Sequence, residues 1–327
     1  MRKLSYGLAI NEALHQKMDQ DTSVFVLGQG VNNPWYVGNS AVELEKHFGR
    51  ERVIDPPVSE QGMNGVGIGA ALAGMRPVLI HPRMDFLLMG VEQIVNQAAN
   101  WSYMFGGQVK VPLTIRAIIN RGGEQAAQHS QALHSIFMHV PGIKVVVPST
   151  PSDAKGLLVA SIEDNDPVLY IDDRWLYEEE GEVEEELYSI PIGVGQILRP
   201  GNDITIVSSS YMTHLAGNSI KQLEIQGIDP ELIDLRSLTP LDDELIIKSV
   251  SKTGRLVILD SGWSTGGVAS EISSRISDKL FGKLLAPIGR VTLPDHPAPA
   301  SIVLENEYYP SVKDIVNVVS SVMGVSK

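Results

Sequence analysis

The sequence predicts an α/β protein of two domains, each a mainly parallel sheet flanked by helices. Three observations support this prediction. The chain has 327 residues, 43% of them hydrophobic and 20% charged, which exceeds an ordinary single domain and suffices for packed cores. Short runs of β-branched residues alternate with longer amphipathic or small-residue stretches. One glutamate-rich segment interrupts this alternation.

The predicted strands are short apolar runs separated by helix-length stretches, a rhythm that is typical of βαβ units. In the first half of the chain they are residues 24–27, 78–80, 113–118, 144–147 and 168–171. In the second half they are residues 203–208, 230–234 and 256–260. No internal repeat or heptad pattern replaces this rhythm.

The segment that interrupts the alternation is residues 177–191, which contains seven glutamates. Repulsion between like charges and low apolar content disfavour a core element there. We therefore predict a domain boundary in this segment, with one domain over residues 1–190 and a second over residues 191–327. The alternative is a solvated edge hairpin or an exposed loop within one domain.

Charge and composition exclude several classes of protein. The formal net charge is -13 and no basic stripe is present, which argues against a nucleic-acid surface. Cysteine is absent, which excludes disulfides, a thiolate nucleophile and metal sites that need sulfur. No apolar stretch approaches the roughly 20 residues of a membrane span, and the first residues lack the pattern of a signal peptide. We expect a soluble, cytoplasmic protein whose partners are small molecules or proteins.

Residues 55–80 form the first stretch that could carry chemistry. Two prolines precede a glycine-rich helix with Gly65, Gly67 and Gly69, so one face of that helix is nearly bare backbone and should pack closely. Glu60 lies just before this helix in a small-residue setting, where burial would make it a proton donor or acceptor. The alternative is a helix-capping acid. The glycine spacing does not fit a dinucleotide-binding loop.

Residues 122–158 form the second stretch, with three histidines within eleven residues. His129, His134 and His139 follow one another at five-residue spacing, which does not place pairs on one helical face, so a metal cluster is not expected. His129 lies at a predicted junction between loop and helix, where catalytic side chains are often displayed. A structural histidine is the alternative for each of the three.

Long motifs over nearly the whole chain resemble the β subunit of the first component of 2-oxo acid dehydrogenases, in the transketolase-like superfamily. The motifs include DPPVSEQG, VEQIVNQAA, AAQHSQ and HVPGIKVV in the first half. IDLRSLTPLD, GWSTGGVASEI, APIGRV and LENEYYPSVKDIV follow in the second half. Pyruvate, branched-chain 2-oxo acid and acetoin dehydrogenases share this subunit.

The resemblance implies an α₂β₂ heterotetramer with thiamine diphosphate between subunits. The Mg²⁺ and diphosphate ligands are expected on the α subunit, whose GDG motif this chain lacks. Glu60 matches the glutamate that hydrogen-bonds the pyrimidine ring and activates the cofactor, and Phe86 matches the aromatic residue packed on that ring. His129 matches the histidine that assists acyl transfer to lipoyl.

Many relatives also hold a structural potassium ion. The matching positions, assigned through the resemblance alone, are Leu113, Ser161, Asp164 and Asp166.

The chain departs from the family pattern where His81, Pro82 and Arg83 replace apolar or neutral residues. We hypothesise that His81 or Arg83 contacts an anionic or polyhydroxylated substrate; the alternative is an ion pair between Arg83 and the α subunit. Gln29 and Gly30 replace a family acidic pair, which puts in doubt any link between active sites through those acids. The loop before His129 also differs, reading RAIINRGGEQ.

Three functions follow. The first is oxidative decarboxylation of a 2-oxo acid with acyl transfer to lipoyl on an acyltransferase partner. The second is half of a split transketolase or carboligating synthase, in which an aldehyde is the acceptor and no lipoyl is involved. The third, a non-catalytic regulatory or scaffolding subunit, is disfavoured because Glu60, Phe86 and His129 are all retained.

Overall fold

The computed structural model describes residues 2–33 and 37–325. The chain divides into two compact units, residues Met1–Arg121 with Ile136–Ile192, and residues Gly122–Ser135 with Gly193–Lys327. The division near residue 192 falls close to the predicted boundary at residue 190. In addition, the second unit includes the segment Gly122–Ser135, which the prediction had left within the first domain.

The first unit alternates strands and helices. Its strands are β1 (Arg2–Ser5), β2 (Val24–Gly28), β3 (Val53–Ile54), β4 (Arg76–His81), β5 (Thr114–Ile119), β6 (Lys144–Val146), β7 (Val168–Asp173) and β8 (Glu180–Val183). Its helices are α1 (Tyr6–Gln20), α2 (Leu44–Phe48), α3 (Glu60–Leu72), α4 (Met84–Leu87), α5 (Ala99–Met104), α6 (His134–Met138), whose first two residues belong to the second unit, and α7 (Pro151–Glu163). Short 3₁₀ turns lie at Gly38–Ala41, Leu88–Gly90 and Arg174–Leu176, and a π-helical turn lies at Gln93–Ala98.

The main sheet of the first unit has the strand order β6-β7-β5-β4-β2-β3, and every pair in this series is parallel. Strands β2, β5 and β7 are buried along their whole length, as β-branched runs inside a parallel sheet require. The predicted α/β class and the predicted strands of this unit are confirmed. Parallel strands leave their carboxyl ends along one edge, where ligands bind in such sheets.

The glutamate-rich segment does contain a strand, β8, which pairs antiparallel with β1. Just after β8, the backbone carbonyls of Glu184, Glu185 and Glu186 accept hydrogen bonds from the buried ammonium of Lys155. Lys155 also forms an ion pair with Glu12. Lys155 thus binds the backbone of this segment, while the side chains of Glu184, Glu185 and Glu186 stay exposed to solvent. Because these charged groups remain solvated, the run of like charges can lie on the surface of a folded unit.

A fully buried ion pair joins β5 to β7 in this sheet. Arg116 donates two hydrogen bonds to Asp172, at 3.0 and 2.8 Å, and both side chains are 0% exposed. The same guanidinium donates to the hydroxyls of Ser40 and Tyr177, at 2.8 and 2.6 Å. The partners together raise the pKa of Arg116 against the opposing effect of burial, so the charge is retained inside the sheet.

The second unit contains β9 (Gln196–Arg199), β10 (Ile204–Ser208), β11 (Pro230–Asp234), β12 (Ser237–Thr239), β13 (Leu256–Trp263) and β14 (Gly289–Leu293). Its helices are α8 (Tyr211–Ile225), α9 (Asp243–Thr253), α10 (Val268–Lys279), α11 (Ile302–Tyr308) and α12 (Val312–Met323). The sheet order is β14-β13-β10-β11-β9, parallel except for β9. Helix α12 starts at a capping box between Ser311 and Asp314 and buries Ile315 and Val319 in the core beneath this sheet. The three strands predicted for this half of the chain are confirmed.

Candidate functional site

A cavity of about 320 Å³ opens at the carboxyl ends of three neighbouring strands of the first unit, β4, β2 and β3. The residues that line it end or follow those strands or lie on the first helical turns after them: Gln29, Gly30, Asp55, Pro56, Val58, Glu60, His81, Pro82, Arg83 and Phe86. Four residues predicted for the site, Glu60, Phe86, His81 and Arg83, are thus brought together. Sequence reasoning had noted Gln29 and Gly30 only as departures, and it had missed Asp55.

Glu60 is the first residue of α3 and is half-buried. The capping role that sequence reasoning left open for Glu60 belongs to Ser59, whose hydroxyl accepts a hydrogen bond from the Gly62 N–H. A carboxylate in the first helical turn is stabilised by the helix dipole. The Glu60 side chain is therefore not consumed by capping and lines the cavity.

Helix α3 reaches this position because one of its glycines fits against the sheet. A Cβ atom on Gly67 would lie 2.7 Å from a methyl group of Leu79 on β4, so any larger residue would force the buried Leu79 side chain or the helix to shift. Gly65 and Gly69 lie on the other side of the helix, where a Cβ atom would meet nothing within 4 Å among the described residues. The expected close packing of the bare face is thus found for Gly67 and not for Gly65 or Gly69.

The segment after β4 closes the other wall of the cavity. Gly90 lies so close to α3 that an added Cβ atom would come within 3.1 Å of the Glu60 carbonyl oxygen. This contact places the 3₁₀ turn Leu88–Gly90 beside α3, and Phe86, on the preceding α4, is 38% exposed and lines the cavity. A half-buried carboxylate therefore shares one cavity with an exposed aromatic ring.

His81 is buried and neutral. Its Nε2 lies 2.8 Å from Asn64 Oδ1, and Asn64 Nδ2 donates to the Gly90 carbonyl, so the Asn64 oxygen is left to accept from His81. Burial lowers the pKa of His81 to about 3. His81 therefore brings no positive charge to the cavity, whereas the half-buried Arg83 is a cation among its lining residues.

The cavity wall also contains buried polar atoms whose hydrogen-bonding capacity is unused. Within residues 2–33 and 37–325, His81 Nδ1 and Gln29 Nε2 find no hydrogen-bond partner. By contrast, the Asp55 carboxylate accepts from the Gly30 N–H at 2.9 Å. Unpaired buried polar atoms are rare in folded proteins and are expected where a polar ligand or water completes the site. The wall thus fits a flat, polar heteroaromatic ring beside Phe86.

His129 does not line this cavity. It lies in the segment Gly122–Ser135, which belongs to the second unit, and it precedes α6 by five residues rather than standing at the start of a helix. His134, not His129, begins the helix, and it is buried with Nε2 2.8 Å from Asp260 Oδ1. His139 is exposed just after α6.

The four positions matched to a potassium site lie around the ends of β5, α7 and β7. The Asp164 carboxylate accepts two hydrogen bonds from Lys144, at 2.7 and 2.6 Å, and Arg76 donates to the Asp164 carbonyl oxygen at 3.0 Å. The carbonyl oxygen of Leu113 accepts from Val168 N–H, and Ser161 bonds back to its own helix. The Oδ1 atom of Asp166 lies 3.4 Å from the Nζ atom of Lys110. Side-chain ammonium and guanidinium groups thus neutralise this region, and the potassium assignment stays a prediction.

The chain is similar to known families and to a solved structure over both of its units. Residues 2–179 match the family described as transketolase, pyrimidine binding domain, and residues 193–315 match transketolase, C-terminal domain. A solved structure described as split gene transketolase, inactive beta4 tetramer, aligns with a TM-score of 0.79 over 99% of each chain, at 23% identity, which bears on the fold alone. In the part of the chain that is described, no helix has the length and apolar character needed to cross a bilayer.

Several relatives are similar over nearly their whole length. The acetoin:2,6-dichlorophenolindophenol oxidoreductase β subunit of Bacillus subtilis is 41% identical, over 99% of this chain and 98% of its own. The pyruvate dehydrogenase E1 β subunit of Rickettsia felis is 40% identical over 96% of each chain, and the B. subtilis 2-oxoisovalerate dehydrogenase β subunit is 40% identical over 91% of each. The chain therefore belongs to the transketolase-like family of thiamine-diphosphate enzymes, as a β subunit of the 2-oxo acid dehydrogenase E1 type.

Proposed function

We propose that this β subunit, paired with an α subunit in an α₂β₂ heterotetramer, decarboxylates a 2-oxo acid and passes the acyl group to lipoyl on an acyltransferase. The observation that carries the proposal is the half-buried Glu60 carboxylate at the start of α3, in one cavity with Phe86. The α subunit would supply the Mg²⁺ and diphosphate ligands. The potassium site and the cytoplasmic location expected from the sequence stay predictions.

Each residue of the cavity has a defined part in this proposal. Glu60 would share a proton with a pyrimidine ring nitrogen, and Phe86 would pack on the ring face. Bound thiamine diphosphate supplies a carbon nucleophile and an electron sink for the bond that is cleaved. Asp55 is fixed by the Gly30 N–H and His81 by Asn64, so these side chains can hold the wall in one arrangement. His129 would assist the transfer of the acyl group to lipoyl.

The test of Glu60 uses the reconstituted αβ complex, a 2-oxo acid panel and an artificial electron acceptor. Glu60→Gln keeps the size of the side chain but removes the carboxylate, and we expect a loss of about 10²- to 10⁴-fold in rate, the range typical of a lost acid-base group. Thiamine diphosphate should still bind, as a titration would show. Glu51→Gln, at an exposed position, is the matched control. Activity within threefold of wild type in Glu60→Gln would contradict the assignment.

Two observations keep other substrates open. Two of the relatives are named as acetoin-oxidising β subunits, including one from Cupriavidus necator at 43% identity, so acetoin is a second candidate substrate. The departure from the family pattern at His81, Pro82 and Arg83, which line the cavity, keeps ketol transfer as a third possibility. The same complex should therefore be given acetoin and pairs of sugars. Ketol transfer without decarboxylation of any 2-oxo acid would overturn the first choice.

Arg83 provides a test of substrate charge, because it is a cation among the described residues that line the cavity and His81 there is neutral. We propose that Arg83 contacts an anionic or polyhydroxylated substrate. Arg83→Ala should then raise KM about tenfold or more for a 2-oxo acid, since a charge-assisted hydrogen bond contributes about 1.5 to 3 kcal/mol, and should change KM for uncharged acetoin less. An unchanged KM together with weaker association of the α and β subunits would instead favour an ion pair with the α subunit.

A further inference from the structure

The segment Gly122–Ser135, which carries His129, has no regular secondary structure before α6 begins at His134. Its backbone adopts positive φ angles at Gly122, Gly123, Glu124 and Ala126, two of them non-glycine residues. Such conformations persist only where the surroundings hold them. Glu124, Ala127 and Gln128 are exposed, so packing of these side chains in a core does not provide that support.

The first contact that holds the segment is made by Glu305 on α11. Glu305 is 2% exposed, and both of its carboxylate oxygens accept from the backbone N–H of Glu124 at 3.1 Å. A hydrogen bond from an amide to a buried carboxylate is stronger than one between neutral groups. This contact fixes the segment five residues before His129.

The second contact is made by Asp260 on β13. Its carboxylate accepts from His134 Nε2 at 2.8 Å and from the N–H groups of Gly262 and Ala269 at 2.9 and 3.2 Å. Burial acts to raise the pKa of Asp260, but the neighbouring His134 and these hydrogen bonds outweigh burial and lower it. The fit is close, because a Cβ atom on Gly267 would lie 2.7 Å from an Asp260 oxygen. This contact fixes the segment five residues after His129.

We propose that Glu305, Asp260 and His134 are positioning residues for His129. Two buried carboxylates of the second unit hold the segment at points five residues before and five residues after His129. Five residues span at most roughly 18 Å, so two fixed points confine His129 far more than one. The role rests on the proposed function of His129 in acyl transfer. It gives the second unit a part in the second half-reaction.

The experiment separates the two half-reactions in the reconstituted αβ complex. Decarboxylation is measured with an artificial electron acceptor, and acyl transfer is measured with a lipoyl domain. Hydrogen exchange of the amides of residues 122–135 is measured on the same samples. The variants are Glu305→Ala and His134→Ala, with Glu307→Ala on the same helix and His139→Ala as exposed controls. His129→Ala reports the effect of losing the histidine itself.

We expect Glu305→Ala and His134→Ala to raise amide exchange in the segment at least tenfold. They should lower kcat for lipoyl acylation at least tenfold and change decarboxylation less than threefold. Glu305→Gln and His134→Gln keep an acceptor for Glu124 N–H and a donor for Asp260, and should restore most of the acylation rate. A purely structural role would instead lower both half-reactions together.

A parallel loss of both half-reactions would overturn the proposal, and so would three further results. One is wild-type exchange in both alanine variants. Another is faster exchange with unchanged acylation while His129→Ala is impaired, which would show that the contacts exist but do not position the histidine. The third is unchanged acylation in His129→Ala, which removes the proposed role of His129 and the positioning role with it; the exchange data would still report whether the two contacts hold the segment.

Discussion

The adjacent strands β4 and β5 each bury a basic side chain, and the protein treats the two in opposite ways. Arg116 on β5 has carboxylate and hydroxyl partners for its guanidinium and keeps its charge. His81 on β4 has one partner, loses its charge, and leaves Nδ1 unpaired among the described residues. The difference indicates that the side of the sheet nearest β7 has its buried charge fully paired, whereas the carboxyl end of β4 leaves hydrogen-bonding capacity unused among the described residues.

The largest expected effect comes from breaking the buried ion pair between Arg116 and Asp172. Asp172→Asn leaves the Arg116 guanidinium buried without its countercharge, and we expect it to lower the free energy of unfolding by about 3 to 5 kcal/mol. Urea unfolding of the isolated β chain measures this. The double variant Arg116→Met with Asp172→Leu should recover part of the loss, because both charges are then gone. A loss below about 1 kcal/mol in Asp172→Asn would mean that the pair is not needed to neutralise Arg116.

A smaller effect tests the buried, neutral His81 through the pH dependence of the unfolding free energy. The folded-state pKa of His81, about 3, lies below the unfolded value of 6.5, so the unfolded chain binds the extra proton and stability falls as pH drops from about 6.5 towards 3. Between pH 7 and pH 5 this group alone should cost about 2 kcal/mol of unfolding free energy. His81→Gln, which cannot titrate, should lose that much less over the same interval. Parallel curves for the two proteins would show that His81 is not buried as a neutral ring.

The third effect, of a size similar to the second, concerns the close approach of α3 to β4, the strand that carries His81. Gly67→Ala places a methyl group against Leu79 on β4, and we expect it to lower the free energy of unfolding by about 1 to 3 kcal/mol. Gly69→Ala meets nothing within 4 Å among the described residues and should leave the isolated chain unchanged or up to about 1 kcal/mol more stable through helix propensity. Equal effects of the two substitutions would show that α3 does not depend on the close contact at Gly67.

The strands were predictable because buried parallel strands require β-branched runs, and those runs are visible locally. Arg116 gave a local signal that could have been read, since a lone charge within the apolar run TIRAII must find a buried partner. The partner itself, 56 residues away, gave none. Sequence reasoning likewise missed Glu305 and Asp260, whose contacts span 181 and 126 residues.

Within the candidate site, Glu60 was found from its setting and from the family motif, while its capping role was ruled out only by the position of Ser59. The neutrality of His81 was not predictable, because it depends on burial and on the orientation of Asn64. Sequence reasoning treated His134 as one structural alternative among three histidines. Its contact with Asp260 joins residues 126 positions apart in the sequence, so the spacing of the histidines could not predict it.

The pairing of β1 with β8 joins Arg2 to Val183, so the first strand of the chain finds its partner only after about 180 further residues. During synthesis at about 5 to 20 residues per second, β1 waits roughly 10 to 40 s with an unpaired edge. Unpaired strand edges template contacts with other chains. We therefore expect the edge of β1 to stay open to other chains until β8 has been synthesised.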